Sequence, residues 1–329
     1  MLIKDRVYGD VEITEQVLID IINSPPLQRL KDISQHGLPQ GYYNTDTFSR
    51  YEHSVGVMIL LRKLGTNLEE QIAGLIHDIS HTTFSHAIDW VIGNPQKQDH
   101  QDNEFLSYFK NSQIPQILKQ YNLDVDKISD LDSFSLLEQP APSLCADRVD
   151  YTLRELTNQG YSDEVQLMVN SLINVNGRIV FSNIEHAELF ATKYCNCNKN
   201  FWMGKNGMLR YHLLAQILKT ALNKEFISIY DFSQTDSYVI EKLYNSKDEE
   251  IISILELLKT NFNVVDANKE DTEGVKLKGK FRYIDPEILI EDKERNKKVV
   301  QLTSISQMYK DMLEMEKEAL KEDIIVKIG

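Results

Sequence analysis

The sequence predicts a mainly α protein, with a helical body over residues 1–260 and a small α+β lobe over residues 261–329. Three observations predict it. Apolar residues recur at helical spacing through most of the first part, β-type runs gather near the end, and the polar stretch NVVDANKEDTEGVKLKGK lies between them. With 329 residues, 42% of them apolar, the chain can bury one large core or two ordinary ones.

In order along the chain, VLIDIINS reads as a helix ending at Ser24, and Pro25–Pro26 suits the first turn of another. In the segment that follows, Leu27, Leu30 and Ile33 form one stripe. HGLPQGYYNTDTFSR is a loop by its glycines, proline and small polar residues. It leads into YEHSVGVMILLRKLG, an apolar helix stopped by Gly65. Asn67–Ile79 reads as a second buried helix, and His81–Val91 as a third after a break. Residues 100–139 carry short amphipathic helices, and PSLCADRVDYTLREL is another core helix. LINVNGRIVFS is a hairpin whose Asn176–Gly177 pair supplies the positive φ of a tight turn. Helices resume over Glu185–Asn223 and Ser237–Lys259. The polar stretch then reads as a linker or mobile loop, KFRYIDPEILI and KKVVQLTSI as strands, MYKDMLEMEKEALKED as a helix, and IIVKI as a last strand.

The balance of 36 basic and 50 acidic residues gives a net charge of −14. That disfavours a nucleic-acid partner but leaves room for a local basic pocket that takes a small polyphosphate. No apolar run reaches the length of a membrane span, and MLIKDRVYGD lacks the basic start and apolar stretch of a secretory signal, so no membrane partner is expected. Cys145, Cys195 and Cys197 are too few for a disulfide framework and indicate a reducing cytoplasm.

The chemistry concentrates in one run. His77 and Asp78 are adjacent on an apolar background, where an imidazole and a carboxylate are costly to bury without a use. His81, His86 and Asp89 follow, and His53 lies one helix upstream. His53, His77, Asp78 and Asp147 make two imidazoles and two carboxylates on three predicted helices. This mixed nitrogen–oxygen set suits iron, manganese, nickel, cobalt or zinc better than calcium. Such an ion lowers the pKa of a water and polarises a phosphoryl oxygen. Each residue alone reads as a surface or satisfied core group; only the four together point to a hydrolytic metal centre. His81 falls one helical turn after His77 and can share its cleft. The spacing of His86 and Asp89 lets the carboxylate hold the imidazole and favour its protonated form. Arg50, just ahead of His53, offers a forked donor to phosphate oxygens.

The ordered runs RYEHSVGV (50–57), LIHDISHTTFSHAID (75–89) and CADRVDY (145–151) resemble the HD-domain phosphohydrolase superfamily. Within it, the branch of deoxynucleoside triphosphate triphosphohydrolases that includes the SAM-and-HD-domain enzymes is the nearest in pattern. DRVYG (5–9) is similar to that branch's D-P-x-H-G opening, and NSPPLQRLKDISQ (23–35) to its D-T-P-x-F-Q-R-L-R-x-I-x-Q segment. The resemblance is strong over residues 3–158, looser to 224 and weak beyond. It implies an HD-domain helical core, a divalent transition metal on His53, His77, Asp78 and Asp147, magnesium accompanying a nucleotide substrate, and a homo-oligomer. It also implies that His81 approaches the α-phosphate, and that His86, backed by Asp89, protonates the leaving 5′-oxygen. Arg148 would lie near the phosphates, Tyr151 and Glu155 at the sugar, and Gln35 and His36 near the nucleoside.

The chain also departs from the pattern. His36 replaces a usual leucine and Glu155 a usual aspartate. Gln101 stands where a glutamate commonly follows His100, so support for the imidazolium is expected to lean on Asp89. Asn23 replaces the aspartate that pairs with a guanine edge in activator-gated members, so guanine-nucleotide activation is not expected. The functional expectation is a metal-dependent phosphohydrolase cleaving a deoxynucleoside triphosphate to deoxynucleoside and tripolyphosphate. The alternatives are a phosphatase of the same fold acting stepwise, or on a monophosphate or modified nucleotide, and a catalytically weak nucleotide-binding regulator, which Gln101 favours.

Overall fold

The computed structural model describes residues 1–329 apart from 44–45, 94–99, 269, 273, 278–281, 292–293 and 320–323. Helix Gln16–Ile22 gives way at Ser24, and Pro25 opens the next helix, Pro25–Arg29. Leu27, Leu30 and Ile33 are all fully buried, yet the helix stops at Arg29 and Leu30–Asp32 tightens into a 3-10 turn.

Helix Arg50–Lys63 is the centre of the body. A reciprocal capping box fixes its start, with the Ser49 hydroxyl accepting from Glu52 N and a Glu52 carboxylate oxygen accepting from Ser49 N. Its apolar residues point all round, as a helix buried on every side requires. Val55, Met58 and Ile59 pack with the N-terminal helices, while Val57, Leu60 and Leu61 pack with Ala146–Asn158 and the helices after it. Gly65, at φ +77°, ends the helix, and Leu68–Ile76 runs back against it. A third core region joins Phe84 and Ile88 to Lys205–Asn223 and the helices Asp236–Asn245 and Glu249–Lys259.

Among the described residues the strands form three small sheets. Leu2–Asp5 and Gly9–Glu12 pair as a hairpin. Leu172–Asn174, Ile179–Phe181, Glu287–Glu291 and Lys297–Gln301 lie side by side in that order, the middle pair parallel with Phe181 opposite Ile288. The last strand, Ile324–Ile328, lies between Val264–Asp266 and Val275–Leu277, antiparallel to both. The polar stretch expected to be a linker therefore supplies two strands. Their partner is the far end of the chain, a pairing that local composition does not encode. Among the described residues no helix is long and apolar enough to cross a membrane.

One departure from the expected helices shapes the site. Leu68–Ile76 ends with His77 as its C-cap, and two turns, over residues 77–80 and 83–86, precede the short helix Ala87–Val91. Phe84 and Ser85 hold φ of 58° and 49°, which disfavours side chains with a Cβ. Asp236 holds them there from the start of Asp236–Asn245: one oxygen accepts from Phe84 N (2.7 Å) and Thr83 Oγ1 (3.0 Å), the other from Ser34 N (2.9 Å). Asp236→Ala strands these buried donors and is expected to cost about 3 kcal/mol in urea unfolding. A loss below about 0.5 kcal/mol, the range of neutral surface changes, would mean the turn is held by something else.

Candidate metal centre and active-site cleft

His77 is 4% exposed and its Nδ1 lies 2.8 Å from Gly74 O, so Nδ1 carries a proton and donates. This leaves Nε2, a buried atom with no hydrogen-bond partner. Around it stand Asp78 Oδ1 at 3.5 Å and Asp147 Oδ1 at 3.6 Å. His53 Nε2 lies 2.9 Å from Asp147 Oδ1 and 3.8 Å from Asp78 Oδ2. One ligand atom each from His53, His77 and Asp147 falls within 4.8 Å of the others. An unpartnered imidazole nitrogen facing two carboxylates is a donor set that fits a divalent transition metal. Burial works to lower the pKa of His77, but Asp78 and Asp147 outweigh it and raise it to about 10. The cluster therefore calls for a cation at Nε2.

Behind the ligands lies a second layer that the sequence reading missed. Asp150, fully buried, takes His53 Nδ1 at 2.8 Å and Arg154 Nε at 2.8 Å on Oδ2, and Tyr8 Oη at 2.9 Å on Oδ1. Arg154 also donates to Asp5 Oδ2 at 2.7 Å. Gly56, one turn along from His53, makes room for this pair: a Cβ there would stand 1.7 Å from Arg154 Nη2. A signal was available, because Asp150 follows Asp147 by three residues and shares its helix face.

The other expected site residues, Asp89 excepted, line a cleft of about 1150 Å³. Arg50 donates from Nη1 to Asp78 Oδ2 (2.7 Å) and from Nε to Ser85 Oγ (2.9 Å). His81 Nε2 lies 3.3 Å from Asp78 Oδ1, although it reaches there from a turn and not from a continued helix. Burial, with Arg50, lowers its pKa to about 3. His86 Nδ1 is 3.2 Å from Asp89 Oδ2, the pairing the spacing suggested. The expected protonation does not follow: burial and Arg50 outweigh Asp89 and hold His86 below 6.5, so the free site carries it neutral. Asp89 also accepts, at 3.4 Å, from His100 N.

Two other residues make contacts that were not expected. Arg148 is committed elsewhere, its guanidinium donating to Gln139 O (3.3 Å) and Ser143 O (2.5 Å) in the preceding loop. Gln101 supports the metal ligands instead of a catalytic histidine: its Nε2 donates to His77 O at 2.6 Å, which a carboxylate could not do. Glu155 lies 2.7 Å from His36 Nε2, and although burial raises its pKa, His36 and Gln159 hold it below the usual carboxylate range. Tyr151 shares a 3.1 Å hydrogen bond with Tyr194 beside Trp202. Gln35 keeps a buried Oε1 without a partner.

Glu138 lines the cleft beside Asp147 and carried no sequence signal; burial and then Asp147 raise its carboxyl to about 8. Cys145 lies close to both, but burial and Glu138 push its thiol well up, so it is no thiolate ligand.

Comparison with known proteins agrees with this geometry. Residues 50–154 match the family model described as the HD domain. An uncharacterized protein, YdhJ, of Bacillus subtilis is 39% identical over 331 residues, covering 100% of this chain and 99% of that one. The metal-dependent phosphohydrolase cns2 of Cordyceps militaris is 35% identical over 210 residues, 61% of each chain. The Dictyostelium discoideum homolog of deoxynucleoside triphosphate triphosphohydrolase SAMHD1 is 24% identical, covering 99% of this chain and 66% of that one. Among solved structures, a phosphohydrolase from Bacteroides thetaiotaomicron superposes with a TM-score of 0.72 at 18% identity, covering 99% of this chain and 98% of that one. The chain therefore belongs to the HD-domain family as a metal-dependent phosphohydrolase, with distant similarity to the deoxynucleoside triphosphate triphosphohydrolases.

Proposed function

We propose that the protein hydrolyses a deoxynucleoside triphosphate to deoxynucleoside and tripolyphosphate. One observation carries the reading: the His53, His77 and Asp147 ligand atoms converge within 4.8 Å, and His77 and Asp147 line the same cleft as Arg50 and the His86 that Asp89 holds. The kinship with a deoxynucleoside triphosphate triphosphohydrolase supports the choice of substrate. His53, His77, Asp78 and Asp147 would hold the metal, which when bound supplies Lewis acidity toward a phosphoryl oxygen and a more acidic water. Arg50 and His81 offer donors to the phosphate oxygens. The bond to the 5′-oxygen breaks as a water oxygen joins the α-phosphorus and that water releases one proton to solvent, while His86 gives its own proton to the departing 5′-oxygen, with Asp89 holding the ring. Tyr151, Glu155, His36 and Gln35 form the wall for the sugar and base.

A phosphate group is anionic and raises the pKa of a neighbouring imidazole. A general acid works only while protonated, so kcat/KM is expected to fall as pH rises through a value below 6.5, and kcat to fall at higher pH. His86→Asn should lose about 10²–10⁴ in kcat together with that limb. Coincident limbs, or a limb that survives in the variant, would remove His86 from this role.

A second reading, hydrolysis of a nucleoside monophosphate, is favoured by the commitment of Arg148 to loop carbonyls, which takes one cation away from a long phosphate chain. Ion-exchange chromatography of products separates the two. Deoxy- and ribonucleotides are incubated with manganese, iron, nickel, cobalt, zinc or magnesium in turn. Tripolyphosphate is the expected product; orthophosphate from monophosphates alone would replace the first reading with the second. No turnover of any nucleotide would overturn both.

A further inference from the structure

Arg29, the last residue of helix Pro25–Arg29, directs every nitrogen of its guanidinium at an oxygen of another element. Nη2 donates to Ile79 O at 2.8 Å and to His81 O at 2.7 Å. Nη1 donates to Gln234 O at 3.0 Å and Ser233 O at 3.3 Å, and Nε to Tyr108 Oη, on helix His100–Asn111, at 3.2 Å. We propose that Arg29 is a positioning residue that fixes His81 in the cleft; this rests on the nucleotide reading above, in which His81 offers a donor to the phosphate.

The two sides that Arg29 joins are the ones that shape the site. Ile79 and His81 belong to the stretch that leaves helix Leu68–Ile76 carrying His77 and Asp78. Ser233 and Gln234 come just ahead of Asp236, whose carboxylate accepts from Thr83 Oγ1 and Phe84 N. Phe232 O accepts from Thr83 N at 2.9 Å. Residues 232–236 thus support the chain directly after His81, and Arg29 ties the chain up to His81 to that same support.

The metal ligands in this stretch have separate anchors. His77 is held through Gly74 O and the Gln101 amide, and Asp78 through Arg50. Arg29 takes the carbonyls that follow. His81 Nε2 stands 3.3 Å from Asp78 Oδ1, and its ring meets that of His86 edge to face with centroids 5.1 Å apart. Releasing the His81 backbone therefore shifts a phosphate donor and the neighbour of the general acid while the ligands stay anchored. A misplacement of about 1 Å in such a group can cost about 100-fold. Lysine cannot stand in for Arg29, because its ammonium is a single point of charge where the guanidinium is a fixed fork of donors.

Arg29→Lys keeps the stem and the charge but cannot reach both sides at once. The metal-loaded variant is expected to keep wild-type metal content and a KM within about threefold, and to lose about 10–100-fold in kcat. Added to His81→Ala it should cost nothing more: the double variant should match His81→Ala within about twofold, because the residue through which Arg29 acts is already gone. Losses that multiply, as independent residues give, overturn the proposal. Hydrogen exchange reads the clamp without turnover. Amides of residues 79–85 should exchange faster in Arg29→Lys, with those of Arg50–Lys63 unchanged. Unchanged exchange over 79–85 overturns the proposal. So does failure of both Arg29→Lys and Arg29→Gln to fold, which assigns Arg29 to the fold alone. A wild type that turns over no nucleotide sinks the nucleotide reading, and the exchange result then decides on Arg29. An active wild type with multiplied losses sinks only the Arg29 assignment.

Discussion

His77→Ala is expected to leave a folded protein that no longer retains a transition metal and turns over nucleotide at least about 10³-fold more slowly. The size follows from a metal's several kcal/mol of charge stabilisation, at about 1.4 kcal/mol per decade of rate. The argument rests on one atom. With Nδ1 committed to Gly74 O, Nε2 has no partner among the described residues and two carboxylate oxygens within 3.6 Å. Removing the ring leaves Asp78 and Asp147 facing each other with one imidazole fewer, which weakens any cation site they share. His81→Ala is the informative control, because His81 touches Asp78 but lies outside the cluster of His53, His77 and Asp147. That variant should keep its metal and lose activity. Metal content by mass spectrometry, measured beside kcat, decides the matter. Wild-type metal stoichiometry in His77→Ala would remove it from the ligand set.

The two variants also show what the sequence could and could not convey. Helix periodicity found Arg50–Lys63, because a helix buried all round leaves a long apolar run and a clear stop at Gly65, and Ala146–Asn158, because Ala146, Val149, Leu153 and Leu156 recur at helical spacing. It overran at His77–Asp78, since apolar spacing continues through Ile79 while the backbone turns. The next turn, at Thr83–Ser85, is held from a distance by Asp236, which no local window contains. The polar stretch around Val264–Leu277 was misread for the same reason, as its strands exist only by pairing with Ile324–Ile328. Residue types that concentrate chemistry drew attention to His53, His77, Asp78, Asp147, His81 and His86, and the fold does gather them. What such a reading cannot settle is which hydrogen bonds a side chain spends elsewhere. Arg148 spends its donors on loop carbonyls, and Gln101 spends its amide on His77 O.

Asp150→Asn should damage stability and metal affinity together, and a second substitution should separate the two losses. The carboxylate fixes the His53 tautomer by accepting from Nδ1, which leaves Nε2 free to face Asp147. Losing such an outer partner typically costs 10–100-fold in metal affinity, so about that loss is expected in a competition titration. The same carboxylate neutralises Arg154, itself fully buried. An asparagine keeps one acceptor but sets an amide group among the donors of His53, Tyr8 and Arg154, and leaves Arg154 paired with Asp5 alone. Breaking a buried ion pair on one side costs about 3–5 kcal/mol. Replacing both partners is cheaper, because no buried guanidinium is left short of a carboxylate, while Asp5, which loses Arg154, still accepts from Val7 N and Tyr8 N. Asp150→Asn combined with Arg154→Met should therefore unfold later than the sum of the single variants predicts, while its metal affinity stays as low as that of Asp150→Asn. If affinity recovers along with stability, Asp150 acts on the metal centre only by keeping the protein folded. If stability alone recovers, His53 is oriented by Asp150, and the network reaching back through Arg154 to Asp5 and Tyr8 makes the N-terminal hairpin part of the metal site's support.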